Sequence, residues 1–526
     1  MGFSTIDYVV LLAYLVGITI FGMRFRQAQR SVKDYFLGAR STSWIVICLS
    51  IVATETSTLT LIGVPALAYG TFARPEQGGT LTYLQVLVGY IIGRFIIARL
   101  FLPSYFRGDL LTAYALLENR FGTAARHVAA SLFLIMRALA EGVRVFAASL
   151  VLSAVLASSF SSIPHLWLWS IGLVGILTLI YTFEGGIAAV IWTDLIQFVI
   201  YIGGSLLAAY ELLQLTPGGW DHIVRTAADA GKLQVWSFST DLTLPFTFWA
   251  GLIGGTFLTN ASHGTDQLLV QRLLTCKNLR DSQKAIITSG FIVFLQFVLF
   301  LGIGIMLYAY YQAVPRPAII TNDEIFPRFI VTTLPHGISG LVIAAIFAAA
   351  MSNLSGSLNS LASITVLDFY QPLKGGDVSD QRLLALSRWC TAGWGIVLIA
   401  IAIIARGWGS VFTAGLTAAS IVYGPMLGAF ILGVLTTRAN STGAITGMSV
   451  ATVTMIIIWA TTRLAWTWYV LVGATVCWTV GYLVSLATSG TQGTPGTPGT
   501  AGTSRNVGTR TMGTSGISGT LGTKRT

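Results

Sequence analysis

Residues 51–70 read IVATETSTLTLIGVPALAYG and residues 248–267 read FWAGLIGGTFLTNASHGTDQ. Both lie in apolar stretches long enough to cross a bilayer, and both carry helix breakers at mid-span. The first holds a run of Thr and Ser followed by Gly63 and Pro65; the second holds Gly251, Gly254, Gly255 and Gly264. Proline removes a backbone donor, and glycine lowers helix stability by about 1 kcal/mol relative to alanine. A helix break at membrane depth is tolerated only where the freed backbone faces protein or a water-filled cavity. One broken span is equally consistent with glycines used for close helix packing. Two of them, in the second and seventh spans, mark the first helix of each of two five-helix units, the pattern of an inverted-repeat secondary transporter.

The rest of the chain agrees with a membrane setting. Of its 526 residues, 54% are hydrophobic and only 10% charged, against about 25% charged in a soluble domain. Such a chain cannot cover its surface in water, which excludes a soluble enzyme and a disordered protein. Thirteen apolar runs follow one another with short loops, giving an all-α polytopic protein. The first run ends at Arg24 and Arg26 and has no small-residue cleavage site, so it reads as a retained helix. Cys48, Cys276, Cys390 and Cys477 are isolated, with neither disulfide nor zinc spacing. The net charge of +11 sits largely in short loops. Arg24, Arg26, Arg30, Lys33 and Arg40 fill the first loop, while alternate loops such as 211–243 are balanced. The positive-inside rule then puts the N-terminus outside and, after thirteen crossings, the C-terminus in the cytoplasm.

Six segments are expected. Residues 1–42 form an extra helix and cytoplasmic loop, and 43–210 the first repeat with core helices 1–5. An extracellular loop covers 211–244, and the second repeat, with core helices 6–10, covers 245–436. Residues 437–488 form two C-terminal helices, and 489–526 a Gly/Thr-rich tail. That tail has almost no apolar content and is expected to be disordered and cytoplasmic, its Arg505, Arg510, Lys524 and Arg525 lying near anionic lipid.

Ionisable residues inside spans are costly and commonly functional. Glu55 lies in the second span, Arg137, Glu141 and Arg144 in the fourth, and Asp194 in the sixth. Glu141 and Arg144 are three apart and can pair on one helix face. Glu55 either meets Arg144 across the bundle or faces a cavity that binds solute. Asp194 reads either as a functional acid or as a hydrogen-bonded acid near the interface. In the ninth span, AAIFAAAMSNLSGSLNSLASITVLDFY crowds hydroxyls and amides onto one helix. Beside a broken helix with exposed carbonyls these could ligate Na⁺, which takes oxygen ligands. Small-residue packing explains the same composition.

At this point the sequence resembles the sodium:solute symporter family, which includes sodium–glucose, sodium–iodide, sodium–proline and sodium–sialic acid transporters. The resemblance covers residues 5–460 and rests on DYFLGARS, LIGVPALAYG, GYIIGR, LTAYALLENRFG, EGGIAAVIWTD, SHGTDQLLVQR, AAAMSNLSGSLNS and YGPMLGAFILG, in that order. It implies a LeuT-type fold of two inverted five-helix repeats, with one extra span before and two after.

It also implies Na⁺ as the coupling ion. The family's conserved sodium site falls on Ala53 and Thr56 of the first core helix and on Ala349, Ser352 and Asn353 of the eighth; Asn353 stands where the family usually has Ser or Thr. A second sodium site that some members carry falls on Asp194 with Ser352 and Ser355, and the next family serine is Gly356 here. One or two ions per cycle are both open. Solute positions fall on Glu55, Ser57 and Thr60 of the first core helix, Gln85 of the second, Arg144 of the third, Thr259, Ser262 and His263 of the sixth, and Tyr423 of the tenth. Sugar transporters of the family place stacking aromatics at positions 262 and 263, so their absence argues against a glucose-type substrate. Glu55 with Arg144 points to a zwitterionic or carboxylate-bearing molecule, or to a buried ion pair.

The function implied is sodium-coupled import of a small organic solute by alternating access across the plasma membrane, by a chain for which a monomer suffices. Two alternatives stand beside it. One is proton coupling through Glu55 and Asp194; the other is a sensor that has lost transport. No Walker motif, nucleophile–base pair or metal motif suggests an ATP-driven pump or an enzyme.

Overall fold

The computed structural model describes residues 3–25, 31–38, 42–70, 79–107, 110–160, 163–315, 324–374, 378–405 and 411–489. Of the tail expected at 489–526, Ser489 ends the last helix and residues 490–526 lie outside the described residues, as do Arg26, Arg30 and Arg40. The described residues are helical throughout, apart from connecting segments and one isolated bridge between Thr42 and Cys276. In chain order the helices are α1 (Thr5–Met23), α2 (Val32–Leu37), α3 (Trp44–Glu55), α4 (Thr58–Tyr69), α5 (Leu84–Ile96), α6 (Leu102–Phe106), α7 (Ala115–Phe121), α8 (Thr123–Phe160), α9 (Leu166–Leu215) and α10 (Gly219–Asp229). There follow α11 (Gly255–Gly264), α12 (Gln267–Leu274), α13 (Leu279–Ala313), α14 (Ile325–Thr333), α15 (Ile338–Ser363), α16 (Gln371–Lys374), α17 (Asp380–Ala405), α18 (Val411–Leu435), α19 (Ser441–Thr461) and α20 (Tyr469–Ser489). Turns of wider helix at 97–101, 250–254 and 364–370 join α5 to α6, lead into α11, and join α15 to α16.

Among the described residues, eight helices are long and apolar enough to cross a bilayer, and α3 with α4 makes a ninth, bent by 63°. The other four of the thirteen expected spans fall on α8, the stretch Leu166–Ile180, α11 and α18. The first of these carries Arg126, Arg137, Glu141 and Arg144; α11 is short, as are the apolar stretches Leu166–Ile180 and, within α18, Ala419–Leu435.

The expected break in the second span is present. α3 stops at Glu55, Thr56 is extended (φ −85°, ψ 99°), and α4 restarts from Ser57. The local chemistry is that of an N-cap. The Ser57 carbonyl accepts from the amides of Thr60 and Leu61 at 2.9 and 3.0 Å, and its own amide donates to Thr60 Oγ1 at 3.4 Å. Pro65 is carried inside α4.

The break in the seventh span is displaced from its expected place. Its glycines run through continuous helix, and the chain turns after Gly264, at Thr265 and Asp266, before α12. Gly251 and Gly255 serve close packing instead. A Cβ on Gly251 would lie 2.6 Å from the Gln85 backbone, and one on Gly255 2.6 Å from the Val86 carbonyl. The packing alternative therefore holds for the glycines, and the break is made by the N-cap Asp266, whose carboxylate accepts from the Leu268 amide at 2.9 Å.

Two further joints fix the bundle. α9 is two expected spans, 164–183 and 186–210, run together across Gly186 (φ 55°, ψ −154°). A Cβ there would meet the Tyr35 carbonyl at 2.6 Å, so the turn requires glycine. At the N-terminal end, the buried Asp7 caps α1 and accepts from the amides of Gly337 and Gly340 and from Ser339 Oγ. The extra first helix is thereby fastened to the start of α15.

Candidate functional site

The end of α3 lies against the middle of α15. Asn353 Nδ2 donates to the Thr54 carbonyl at 2.6 Å, and Thr58 Oγ1 donates to the Ile346 carbonyl at 3.4 Å. Ala53, Thr56, Ala349, Ser352 and Asn353 are all buried here. The five residues on which the first sodium site was expected lie on or at the end of the two helices that these contacts join. The Thr56 hydroxyl is fully used: it donates to the Val52 carbonyl at 2.8 Å and accepts from Gln296 Nε2 at 2.6 Å and the Tyr201 hydroxyl at 3.2 Å. The hydroxyl at the break is thus occupied by the protein's own groups. Asn353 Oδ1 accepts from Arg144 Nη1 at 3.1 Å, so one amide touches both the break and α8.

A cavity opens beside the break. Glu55, Ser57, Thr60, Arg144, Ser262, His263 and Tyr423 line it, with Thr54, Tyr83, Tyr90, Phe297, Asn353 and Ser420. Seven of the nine expected solute positions are on its wall. Gln85 and Thr259 are not. Gln85 fixes the 237–246 segment: its amide nitrogen donates to the Phe246 carbonyl at 3.2 Å and its oxygen accepts from the Ser237 amide at 3.0 Å. Thr259 is packed beneath Gly93, whose Cβ would sit 2.9 Å from its own.

The charges pair differently from expectation. Glu55 does not meet Arg144. Its Oε2 accepts from Arg94 Nη2, and His263 Nε2 lies 3.3 Å away. Arg144 pairs along its helix with Glu141 at 3.3 Å, the i,i+3 arrangement. Its side chain is 23% exposed and on the cavity wall, and among the described residues its hydrogen bonds are made through Nη1. Arg137, also on the wall, is held through Nη2 by the Asp266 carboxylate and the Tyr423 hydroxyl, and its Nε has no partner among the described residues. Asp194 lies at 0% exposure with Ser352 Oγ at 2.6 Å and Arg272 Nη2 at 3.0 Å. Ser355, expected near it, turns its hydroxyl back to the Ser352 carbonyl at 3.0 Å.

The model of the Sodium:solute symporter family matches residues 35–451. The chain belongs to the sodium:solute symporter family. It is 31% identical over 465 residues to the sodium/sialic acid symporter SiaT of Proteus mirabilis (strain HI4320), covering 86% of this chain and 89% of that one. It is 30% identical to sodium-coupled monocarboxylate transporter 1 of Mus musculus, over 84% of this chain and 71% of the relative. A solved Na⁺-coupled sialic acid symporter in a substrate-bound outward-open state superposes with a TM-score of 0.82 at 28% identity, covering 92% of this chain and 98% of that one. A nucleobase-cation-symport-1 family transporter in a closed conformation shares the fold alone, at a TM-score of 0.58 and 12% identity over 86% of this chain and 94% of that one. The fold is the LeuT type.

Within this family member the SHGTDQLLVQR segment (262–272) is a hub of buried hydrogen bonds. Asp266 holds Arg137 and accepts from the Tyr423 hydroxyl at 2.6 Å. The Gln267 oxygen accepts from the Ala113 amide at 2.7 Å, and the Gln271 amide nitrogen donates to the Phe36 carbonyl at 2.8 Å and to Asn359 Oδ1 at 2.7 Å. Arg94, Asp266 and Arg272 are the residues that sequence reasoning missed as site groups. All three lie inside motifs that carried the resemblance, GYIIGR and SHGTDQLLVQR. An arginine in an apolar run, as at Arg94, was the available signal, since it demands a buried partner.

Proposed function

We propose that this symporter imports a small carboxylate-bearing solute with sodium, across the plasma membrane, with its N-terminus outside and its C-terminus in the cytoplasm. The observation that carries the solute class is Arg144: it lies on the cavity wall and is held by Glu141 and Asn353 through one nitrogen. A guanidinium suits the two oxygens of a carboxylate. The relatives named for sialic acid and for monocarboxylates support the same class.

Sodium is the second cargo. It would lie between the carbonyls of Ala53 and Thr56 and the Ala349 carbonyl, Ser352 hydroxyl and Asn353 amide oxygen, joining the broken helix to α15. Asn353 already links the break to Arg144, so ordering the break by an ion also fixes the arginine that receives the solute. That differential is what coupling requires, because an ion that binds both states equally shifts nothing. Inward movement of each positive charge gains about 2.3 kcal/mol per 100 mV of membrane potential.

The test is uptake in proteoliposomes under imposed Na⁺ or H⁺ gradients, with sialic acid and lactate as carboxylate probes and glucose as the neutral control. Accumulation of a carboxylate driven by Na⁺ is expected. Uptake indifferent to Na⁺ rejects the coupling, and Na⁺-driven uptake of glucose alone rejects the solute class. Arg144→Gln is expected to raise KM about 10- to 100-fold, the loss of one charge-assisted contact, with Na⁺ dependence retained.

A further inference from the structure

The apolar span Leu84–Phe106 and helix α18 end at the same side of the bundle, the first at Phe106 and the second at Leu435. A groove of about 290 Å³ lies where these two ends meet the short α7. Phe430 and Val434 of α18 supply part of its apolar wall, and its polar groups are Ser104, Arg107, Asn119 and Arg120. No carboxylate lines it among the described residues.

The two arginines have no acid between them. Arg107 is exposed and pairs with no carboxylate among the described residues. Arg120 reaches across to α18: its Nη2 donates to the Thr436 carbonyl at 3.0 Å, and its guanidinium lies 5.1 Å from the centre of the Phe121 ring. Glu118, on the same helix, is taken by Arg126 and by the Thr123 hydroxyl at 3.0 Å. Two like charges in one groove repel each other and favour an anion between them. The planar fork of a guanidinium matches the oxygens of a phosphate. The groove lies where apolar spans end, which is the level of the lipid head groups.

We propose that this groove binds the phosphate of an anionic phospholipid and that the bound lipid ties the end of α6 to the end of α18. Arg107 and Arg120 receive the phosphate, and Asn119 and Ser104 add neutral donors. The acyl chains continue along the exposed apolar side chains of the same spans, such as Phe95 and Leu435. Two arginines against one phosphate select a head group with net negative charge, because the ammonium of a zwitterionic lipid would meet like charge. With the N-terminus outside, this is the cytoplasmic leaflet. That placement rests on the topology proposed above; the binding itself does not.

Thermal unfolding of the purified full-length protein in neutral detergent reads the site, since a ligand that binds the folded state raises the midpoint. The additions are phosphatidylglycerol, phosphatidylcholine with the same chains, and inorganic phosphate. A rise with phosphatidylglycerol alone is expected. No rise with it, or an equal rise with phosphatidylcholine, overturns the proposal, and an equal rise with inorganic phosphate overturns lipid as the occupant. Arg107→Gln and Arg107→Gln/Arg120→Gln are expected to raise the half-saturating lipid fraction about fivefold for each arginine removed. Arg280→Gln/Lys284→Gln removes two exposed charges outside the groove and is expected to leave that fraction unchanged. A loss there as large as in the groove variants would mean general attraction to the charged face and overturn the site. If the groove double variant does not fold, Arg107→Gln, which changes one exposed side chain, decides the matter.

Discussion

Glu55 and Arg94 form a buried ion pair beside the cavity. Arg94 is fully buried, its Nε and Nη1 find no partner among the described residues, and Glu55 is the one carboxylate it touches there. Removing one member of a buried pair leaves the other charged and unsolvated, a loss of about 3–5 kcal/mol. Glu55→Gln is therefore expected to lower the thermal unfolding midpoint sharply, while Glu55→Gln/Arg94→Met lies closer to wild type than either single change. Additive losses across that cycle in thermal unfolding would show that the pair does not act as a unit. The same residues mark where the sequence stops being legible. An acid alone in an apolar run announces its own cost, so Glu55 and Asp194 stand out along the chain. Their partners do not, because Arg94 is 39 residues from Glu55 and Arg272 is 78 from Asp194. Which arginine reaches which acid is settled by how the helices cross.

At the scale of the element, the break after α3 was legible because its cause is local: Ser57 and Thr60 cap α4 within one turn. The glycines of the seventh span carry an equally local signal with a non-local cause, and the sequence alone puts the break among them. Their use becomes plain only with α5 alongside. A Cβ on Gly89 would lie 2.2 Å from the Gly251 carbonyl oxygen, and Thr256 Oγ1 donates to the Gly89 carbonyl at 3.1 Å. The two backbones touch, so Gly89→Ala must push α5 away from α11. Overpacking of this kind costs about 1–3 kcal/mol. Gly302 of α13 is the control, since a Cβ there meets nothing within 4 Å. Gly302→Ala is expected to be neutral or to stabilise by up to about 1 kcal/mol through helix propensity. Thermal unfolding of the two variants measures the difference; equal midpoints would mean that the close approach is not specific.

At the scale of the whole molecule, one lysine joins the long loop after α10 to the broken helix. Lys232 Nζ donates to the carbonyl of Tyr69, the last residue of α4, at 2.8 Å and to that of Gly79 at 3.1 Å, and it lies 4.1 Å from the centre of the Tyr308 ring on α13. The carbonyl end of a helix and the face of a ring both favour a cation, yet no carboxylate pairs with it among the described residues. Burial pulls its ammonium down from the ordinary 10.5 to about 8. Between those two values the unfolded chain still holds a proton that the folded chain has released. Stability then rises with pH, because the unfolded state binds more protons. Below about 8 both states are charged and the folded protein carries the full burial penalty; above about 10.5 both are neutral and the penalty is gone. Lys232→Met keeps the apolar stem and cannot titrate. Its unfolding midpoint, followed across that window, is expected to lack the rise seen in the wild type. Parallel curves for the two proteins would remove Lys232 as the source of the pH dependence and leave the loop held to α4 by its uncharged contacts alone.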